Sequence, residues 1–83
     1  MKKEEFIDIS KRMVVEYFNR YVCKGDIPEI TADKVELIDY TTVQDKQRVL
    51  LSTGYSDLDY EVVYDDSTKQ WYSHKYLKNN KGE

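Results

Sequence analysis

The chain has 83 residues, of which 35 % are charged and 40 % are apolar, and its net charge is −3. This length limits it to one domain, which we expect to span residues 1–83. The mild negative charge argues against a nucleic-acid binder, and no apolar run reaches the roughly 20 residues that span a bilayer. The single Cys23 excludes an intramolecular disulfide and a cysteine-built metal site, and it fits a cytoplasmic protein.

Residues 3–23 are predicted to form one amphipathic helix. Apolar residues recur there at the i, i+3, i+4, i+7 spacing of a single helix face, namely Phe6, Ile7, Met13, Val14, Tyr17, Phe18 and Tyr21. Gly25 is a natural C-cap, and Pro28 prevents the helix from resuming. Residues 24–33 are predicted to be a connector, with Thr31 as an acceptable cap for a further helical turn.

From Lys34 onwards the apolar period changes from 3.6 to 2, and β-branched and aromatic residues become frequent. Strands are predicted at about 34–44, 47–55, 58–65 and 69–77, with turns at 45–46 and 66–69 and a frayed tail at 78–83. Short connections make successive strands antiparallel. The predicted fold is α+β, with one N-terminal amphipathic helix packed on a four-stranded antiparallel meander. If the sheet curls around the helix, the architecture would be that of a cystatin-like half-barrel, a comparison that carries no function.

A single helix can cover only one of the two faces of this sheet. In the third predicted strand an inward row is expected at Leu58, Tyr60, Val62 and Tyr64, and an outward row at Asp57, Asp59, Glu61 and Asp65, with Val63 on the outward parity. The other strands carry apolar residues on both parities. We therefore predict a continuous exposed patch, typical of contact with another chain, at Ile38, Tyr40, Leu50, Val63 and the strand-four rings Tyr72 and Tyr76. Two alternatives remain: scattered surface rings are common, and a bulge can reset the parity of a strand.

The acidic row of Asp57, Asp59 and Glu61 places three carboxylates on one strand face, about 7 Å apart. This spacing is too wide for direct coordination of one metal ion. The row is predicted to be a solvated strand face, with an electronegative ridge for a basic partner as the functional alternative. His74, the only histidine, is predicted to be an ordinary strand residue. We expect no catalytic residue, metal or cofactor, and therefore no enzyme.

Two stretches of the chain carry a family resemblance. The segment "DKVELIDYTTVQDKQRVLLSTGYSDLDYEVVYDDSTKQWYSHKY", preceded by "EEFIDISKRMVVEYFNRYV", resembles a family of small uncharacterised proteins that are encoded by phages and prophages of Gram-positive bacteria. The most specific pieces are residues 14–17, 50–53 and 60–62. The aromatic residue that the family pattern has early in the first strand is absent, because this chain has Ile38–Asp39–Tyr40 there.

The resemblance implies a biological context, because the family carries no assigned catalytic residues. Small acidic phage proteins often act by binding a host protein, and inhibitors of bacterial defence systems such as anti-CRISPR proteins are of this kind. We therefore expect a cytoplasmic protein that binds, and thereby inhibits, a host protein. The alternatives are a domain that sequesters a small ligand in the helix–sheet cleft, a homodimeric accessory protein, and, last, an enzyme.

Overall fold

A computed structural model describes residues 1–22, 29–54 and 58–77. The helix α1 (Lys3–Tyr17) continues into a π-helical turn (Phe18–Val22), and a 3-10 turn (Ala32–Lys34) precedes the strands β1 (Glu36–Val43), β2 (Lys46–Ser52), β3 (Leu58–Asp65) and β4 (Gln70–Leu77). The strands form one antiparallel sheet in the order β1-β2-β3-β4. The predicted α+β fold is therefore confirmed. No helix in the described ranges is both long and apolar enough to cross a membrane.

The observed element bounds differ from the predicted ones mainly at the ends. The helical run from residue 3 widens to a π-turn after Tyr17, and Gly25 and Pro28 lie outside the described residues. The first hairpin turn lies at 44–45, one residue earlier than predicted, because Gln44 takes the positive φ of 57° that this turn needs. The second turn lies at 66–69, as predicted, with Lys69 at φ 59°. The predicted tail, 78–83, lies outside the described residues.

The apolar stripe of the helix packs on one face of the sheet. Phe6 is fully buried, and its ring centroid lies 6.0 Å from that of Tyr40 on β1 and 5.8 Å from that of Trp71 on β4. Near the other end of α1, Tyr17 meets Tyr60 of β3 edge-on at 6.0 Å. The helix therefore covers this face from one edge strand to the other. The buried apolar core consists of Phe6, Val14, Phe18, Ile30, Val35, Val49, Leu51, Tyr60, Val62 and Tyr64.

The Asn19 side chain links the end of the helical segment to the part of the chain that leads into β1. Asn19 accepts a hydrogen bond from the backbone N–H of Ile30 at 2.8 Å and donates one to its carbonyl oxygen at 3.0 Å. Ile30 itself is buried in the core. Both backbone groups of a buried residue are thereby satisfied, which fixes where the chain leaves the helix layer for the sheet layer.

A β-bulge in β1 decides which residues of that strand face the helix. Leu37 is opposite Leu51, but the next aligned pair is Asp39 with Leu50, so Ile38 is an extra residue without an opposite partner on β2. After the bulge, Tyr40 is opposite the fully buried Val49. Tyr40 therefore lies on the helix side, and the prediction that it shares an exposed patch with Leu50 is wrong.

Candidate binding face

The face of the sheet that points away from α1, called the outer face below, collects side chains from all four strands. The strand register forms its rows, which are Asp39, Leu50, Glu61 and His74, then Thr41, Arg48, Val63 and Tyr72, and then Ser52, Asp59 and Tyr76. The inward row predicted for β3 is confirmed at Tyr60, Val62 and Tyr64, which are buried, but the outward residues Glu61 and Asp65 are buried as well. In the described part of the chain, no helix lies over the outer face.

The apolar part of the outer face is open to solvent. Leu50 and Val63 are half-buried, while Tyr72 and Tyr76 keep 46 % and 48 % of their surface exposed. A shallow depression of about 240 Å³ lies next to Val63 and is lined by Thr41, Val43, Lys46, Arg48 and Val63. The outer face thus offers a place for an apolar side chain, with two cations at its rim.

A polar network crosses the sheet beside this apolar part. Glu61 accepts a hydrogen bond from Arg48 Nε at Oε2 and a second one from the Tyr76 hydroxyl at Oε1, the latter at 3.1 Å. Arg48 Nη1 also lies 3.5 Å from a carboxylate oxygen of Asp39. Each strand contributes one residue, in the order Asp39, Arg48, Glu61 and Tyr76, and this set is called the cross-sheet network below.

The cross-sheet network changes the interpretation of the acidic row. Glu61 keeps only 8 % of its surface exposed, so the prediction of a solvated carboxylate is wrong at this position. Burial is tolerated because both carboxylate oxygens receive hydrogen bonds, one of them charge-assisted. The same bond to Glu61 raises the pKa of Arg48 above its ordinary value. Arg48 is the functional-site residue that the sequence analysis missed.

The hydroxyl of Tyr76 provides a pH-dependent part of this network. The pKa of Tyr76 is raised, chiefly because its hydroxyl donates to Glu61 and would lose that bond on ionisation. Because the pKa of Tyr76 is higher in the folded state than in the unfolded chain, its hydrogen bond contributes fully to stability at pH values below the unfolded-state pKa of about 10. This contribution is lost as the pH rises through the folded-state pKa.

We therefore expect a pH-dependent difference between the wild type and Tyr76→Phe. The free energy of unfolding of the wild type should exceed that of Tyr76→Phe by a constant amount up to about pH 10, and this difference should shrink at higher pH. Urea titrations of both proteins between neutral and strongly alkaline pH measure it. A difference that stays constant or grows at alkaline pH would contradict the bond.

The structure brings most of the predicted contact residues together. Those that share the outer face are Leu50, Asp59, Glu61, Val63, Tyr72 and Tyr76. Ile38 is the bulge residue and is 48 % exposed at the start of β1, while Tyr40 faces the helix. Asp57 lies outside the described residues. Asp65 directs its carboxylate to the following turn, where it accepts hydrogen bonds from Ser67 N at 3.0 Å and Ser67 Oγ at 2.7 Å.

The surroundings of His74 are set by the cross-sheet network. His74 is opposite Glu61 in the sheet, but the Glu61 oxygens accept hydrogen bonds from Arg48 and Tyr76. A carboxylate used in this way is poorly placed to orient an imidazole for proton transfer. In the described ranges, no three His, Cys, Asp or Glu side chains form a group that could hold a metal ion.

The cleft between the helix and the sheet is small. It has a volume of about 130 Å³, and its lining includes Met13, Tyr17, Tyr60 and Ser73. Lys75 closes one side, since its ammonium group donates to the Tyr17 hydroxyl and lies 4.7 Å from the centroid of that ring. Small-molecule sites in proteins usually measure about 300–1,000 Å³, so this cleft is too small for most metabolites.

Comparisons with other proteins add no information on the function. No protein-family model, curated protein or solved structure matches the chain. The resemblance to phage-encoded proteins therefore stays a prediction.

Proposed function

We propose that this chain is a binding protein that acts by contacting another protein through its outer face. The observation that supports the proposal is a sheet face that no described element covers, with two half-exposed tyrosines, Tyr72 and Tyr76, beside the half-buried Leu50 and Val63. A single isolated ring would have little meaning. Several apolar side chains on adjacent strands form a patch, and such patches usually mark contact with another chain.

The residue types of the outer face match those of protein interfaces. Tyrosine and arginine are enriched in the residues that contribute most to binding, because they combine a large apolar surface with a hydrogen-bonding group. Here the Tyr76 hydroxyl shares the Glu61 carboxylate with Arg48, whose guanidinium is already oriented by Glu61 and Asp39. An oriented side chain loses less conformational entropy on binding than a free one.

The charges of the outer face favour a partner with basic groups. Asp39, Asp59 and Glu61 lie on it, and the two cations Arg48 and Lys46 neutralise only part of their charge. Charges at the rim of an interface chiefly set the association rate and the choice of partner. We therefore expect the association rate to fall as the salt concentration rises.

The resemblance described above supplies the proposed biological setting. It implies a phage-encoded protein in the cytoplasm of a bacterial host, with a host protein, such as a component of a defence system, as the target. The structural part of the proposal concerns only the outer face, and it does not depend on this setting.

Sequestration of a small ligand is the second candidate function, and the size of the helix–sheet cleft disfavours it. About 130 Å³ accommodates a few water molecules or a small fragment rather than a nucleotide or a signalling molecule. Ligand binding in this cleft would require Lys75 to leave the Tyr17 ring. An outer face that is already open requires no such rearrangement.

Affinity capture with matched tyrosine variants tests the proposal. Tyr72→Lys places a charge in the apolar part of the outer face, and Tyr21→Lys makes the same change on the helical side, where Tyr21 is 56 % exposed. Both variants should fold, because about half of the surface of each tyrosine is already exposed. We expect the wild type and Tyr21→Lys to retain the same host protein from a lysate, and Tyr72→Lys to lose it.

Mass spectrometry of the retained proteins gives the outcome. Retention of one protein by all three baits would place the contact elsewhere on the chain. If the wild type retains no protein above background, the proposal is contradicted.

A further inference from the structure

We infer that the free edge of β4 pairs with β4 of a second copy, which joins two sheets of four strands into one continuous sheet. This dimer forms through the backbone edge of β4, so it leaves both outer faces open and brings the Tyr72 and Tyr76 side chains of the two copies next to each other.

The β4 edge has the regularity that strand pairing needs. The strand keeps an unbroken register with β3 from the pair Leu58–Leu77 to the pair Asp65–Gln70. Its other side lies at the edge of the sheet, and the side chains from Tyr72 to Tyr76 are exposed. A long regular edge presents a row of backbone N–H and C=O groups that can accept another strand.

The opposite edge of the sheet lacks this regularity. The bulge at Ile38 interrupts β1, and bulges are one of the features by which proteins prevent edge-to-edge pairing. A β1–β4 contact between copies joins two different surfaces, so it would give a ring or a filament rather than a two-fold dimer. The β4–β4 contact uses the same surface twice, so it closes as a two-fold dimer.

Lys75 is a feature of β4 that could oppose pairing, since an inward-pointing charge often protects an edge strand. Its ammonium group, however, donates to the Tyr17 hydroxyl and lies over that ring. The side chain is therefore directed onto the helix of its own copy rather than into the space beyond the edge.

A two-fold axis perpendicular to the sheet limits the register to a few alternatives. It keeps both helices on one side of the joined sheet, so that only residues of the same face come opposite each other. With His74 at the axis, Tyr72 of each copy lies opposite Tyr76 of the other, and Ser73 lies opposite Lys75. Aromatic cross-strand pairs are stabilising. A shift that puts Lys75 at the axis would place two like charges opposite each other, which is destabilising.

The size of the contact predicts a weak dimer. The strand has eight residues, so the paired edges are only about 26 Å long, and they bury less than the roughly 800 Å² per partner of a standard interface. Main-chain hydrogen bonds supply most of the affinity in strand addition. The dimer would place two outer faces side by side, which lets a repeated or dimeric target bind at two points.

Disulfide cross-linking reports both the contact and its register. In a Cys23→Ser background, His74→Cys places two thiols opposite each other at the axis, within the Cα separation of about 7 Å that a disulfide can bridge. Tyr72→Cys is the matched control on the same face of the same strand. In this register its two thiols are four residues apart along the sheet, at about 13 Å, and cannot be bridged.

Under mild oxidation we expect a covalent dimer from His74→Cys and none from Tyr72→Cys. Sedimentation of the unmodified chain should show a dimer fraction that rises with concentration. His74→Lys, which puts like charges at the axis, should abolish that fraction, while His74→Gln should keep it. Equal cross-linking of the two cysteine variants, or an unmodified chain that stays monomeric at all concentrations, would overturn the inference. Retention of the host protein by the unmodified chain at a concentration where it is monomeric would separate this result from the capture test.

Discussion

Replacing Glu61 with glutamine is expected to lower the free energy of unfolding by about 1.5 kcal/mol, the lower end of the range for a hydrogen bond to a charged group, because Arg48 is partly exposed. The amide keeps the size of the side chain and an acceptor oxygen for Tyr76, but it removes the charge that Arg48 pairs with. Arg48 then remains in a partly buried position with only the more distant Asp39 as its counter-charge. Urea denaturation of the wild type and the variant measures the loss.

Asp39→Asn is the matched control for this prediction. It makes the same carboxylate-to-amide change on the other side of Arg48, where the Asp39 side chain is 53 % exposed. Exposed ion pairs contribute little, so we expect a loss below about 0.5 kcal/mol. Equal losses of stability from Glu61→Gln and Asp39→Asn would mean that the Glu61–Arg48 pair contributes no more to stability than the exposed Asp39–Arg48 pair.

A double-mutant cycle assigns the effect to the pair. Arg48→Met removes the cation and keeps much of the aliphatic chain. If the ion pair accounts for the loss, Glu61→Gln should cost much less in the Arg48→Met background than in the wild type. Additive losses would show that the two side chains are energetically independent.

The layer architecture could be predicted from the sequence because two local periods determine it. The helical stripe that includes Phe6, Val14 and Phe18 has the 3.6 period, and the alternation from Leu58 to Asp65 has the period of 2. Each period depends on residues a few positions apart. The helix, the four strands and the inward row of β3 therefore follow from the sequence pattern alone.

The face of Tyr40 could not be predicted, because it depends on the bulge at Ile38. A bulge is a property of two paired strands, and no residue between Leu37 and Asp39 marks one. Without it, Ile38 and Tyr40 would share a face. With it, Tyr40 meets Phe6 in the core, and its hydroxyl accepts a hydrogen bond from Gln47 at 3.0 Å.

The cross-sheet network was missed for a similar reason. Arg48 and Glu61 are thirteen residues apart, and they meet only once the β2–β3 register is fixed. The alternation of β3 correctly placed Glu61 on the outer face, but it says nothing about which cation lies beside it. A side chain on an uncovered face can still be buried by its neighbours, which is why the outward parity of Glu61 was mistaken for exposure.

The adjacent residues Leu50 and Leu51 provide a direct comparison of the two sheet faces. Leu51 is fully buried on the helix side, and Leu50 is half-buried on the outer face. Leu51→Ala leaves a cavity in the core, so we expect a loss of about 3–4 kcal/mol. Leu50→Ala removes side-chain atoms that solvent already reaches, so we expect a loss near 1 kcal/mol.

The proposed contact surface depends on the outer face being uncovered, and this pair of variants tests that directly. The measurement is urea denaturation of the wild type, Leu50→Ala and Leu51→Ala at a protein concentration low enough to keep the chain monomeric. The structure predicts that Leu51→Ala costs at least twice as much stability as Leu50→Ala. Equal losses would mean that the outer face is covered as well as the helix side, and the proposed contact surface would not exist.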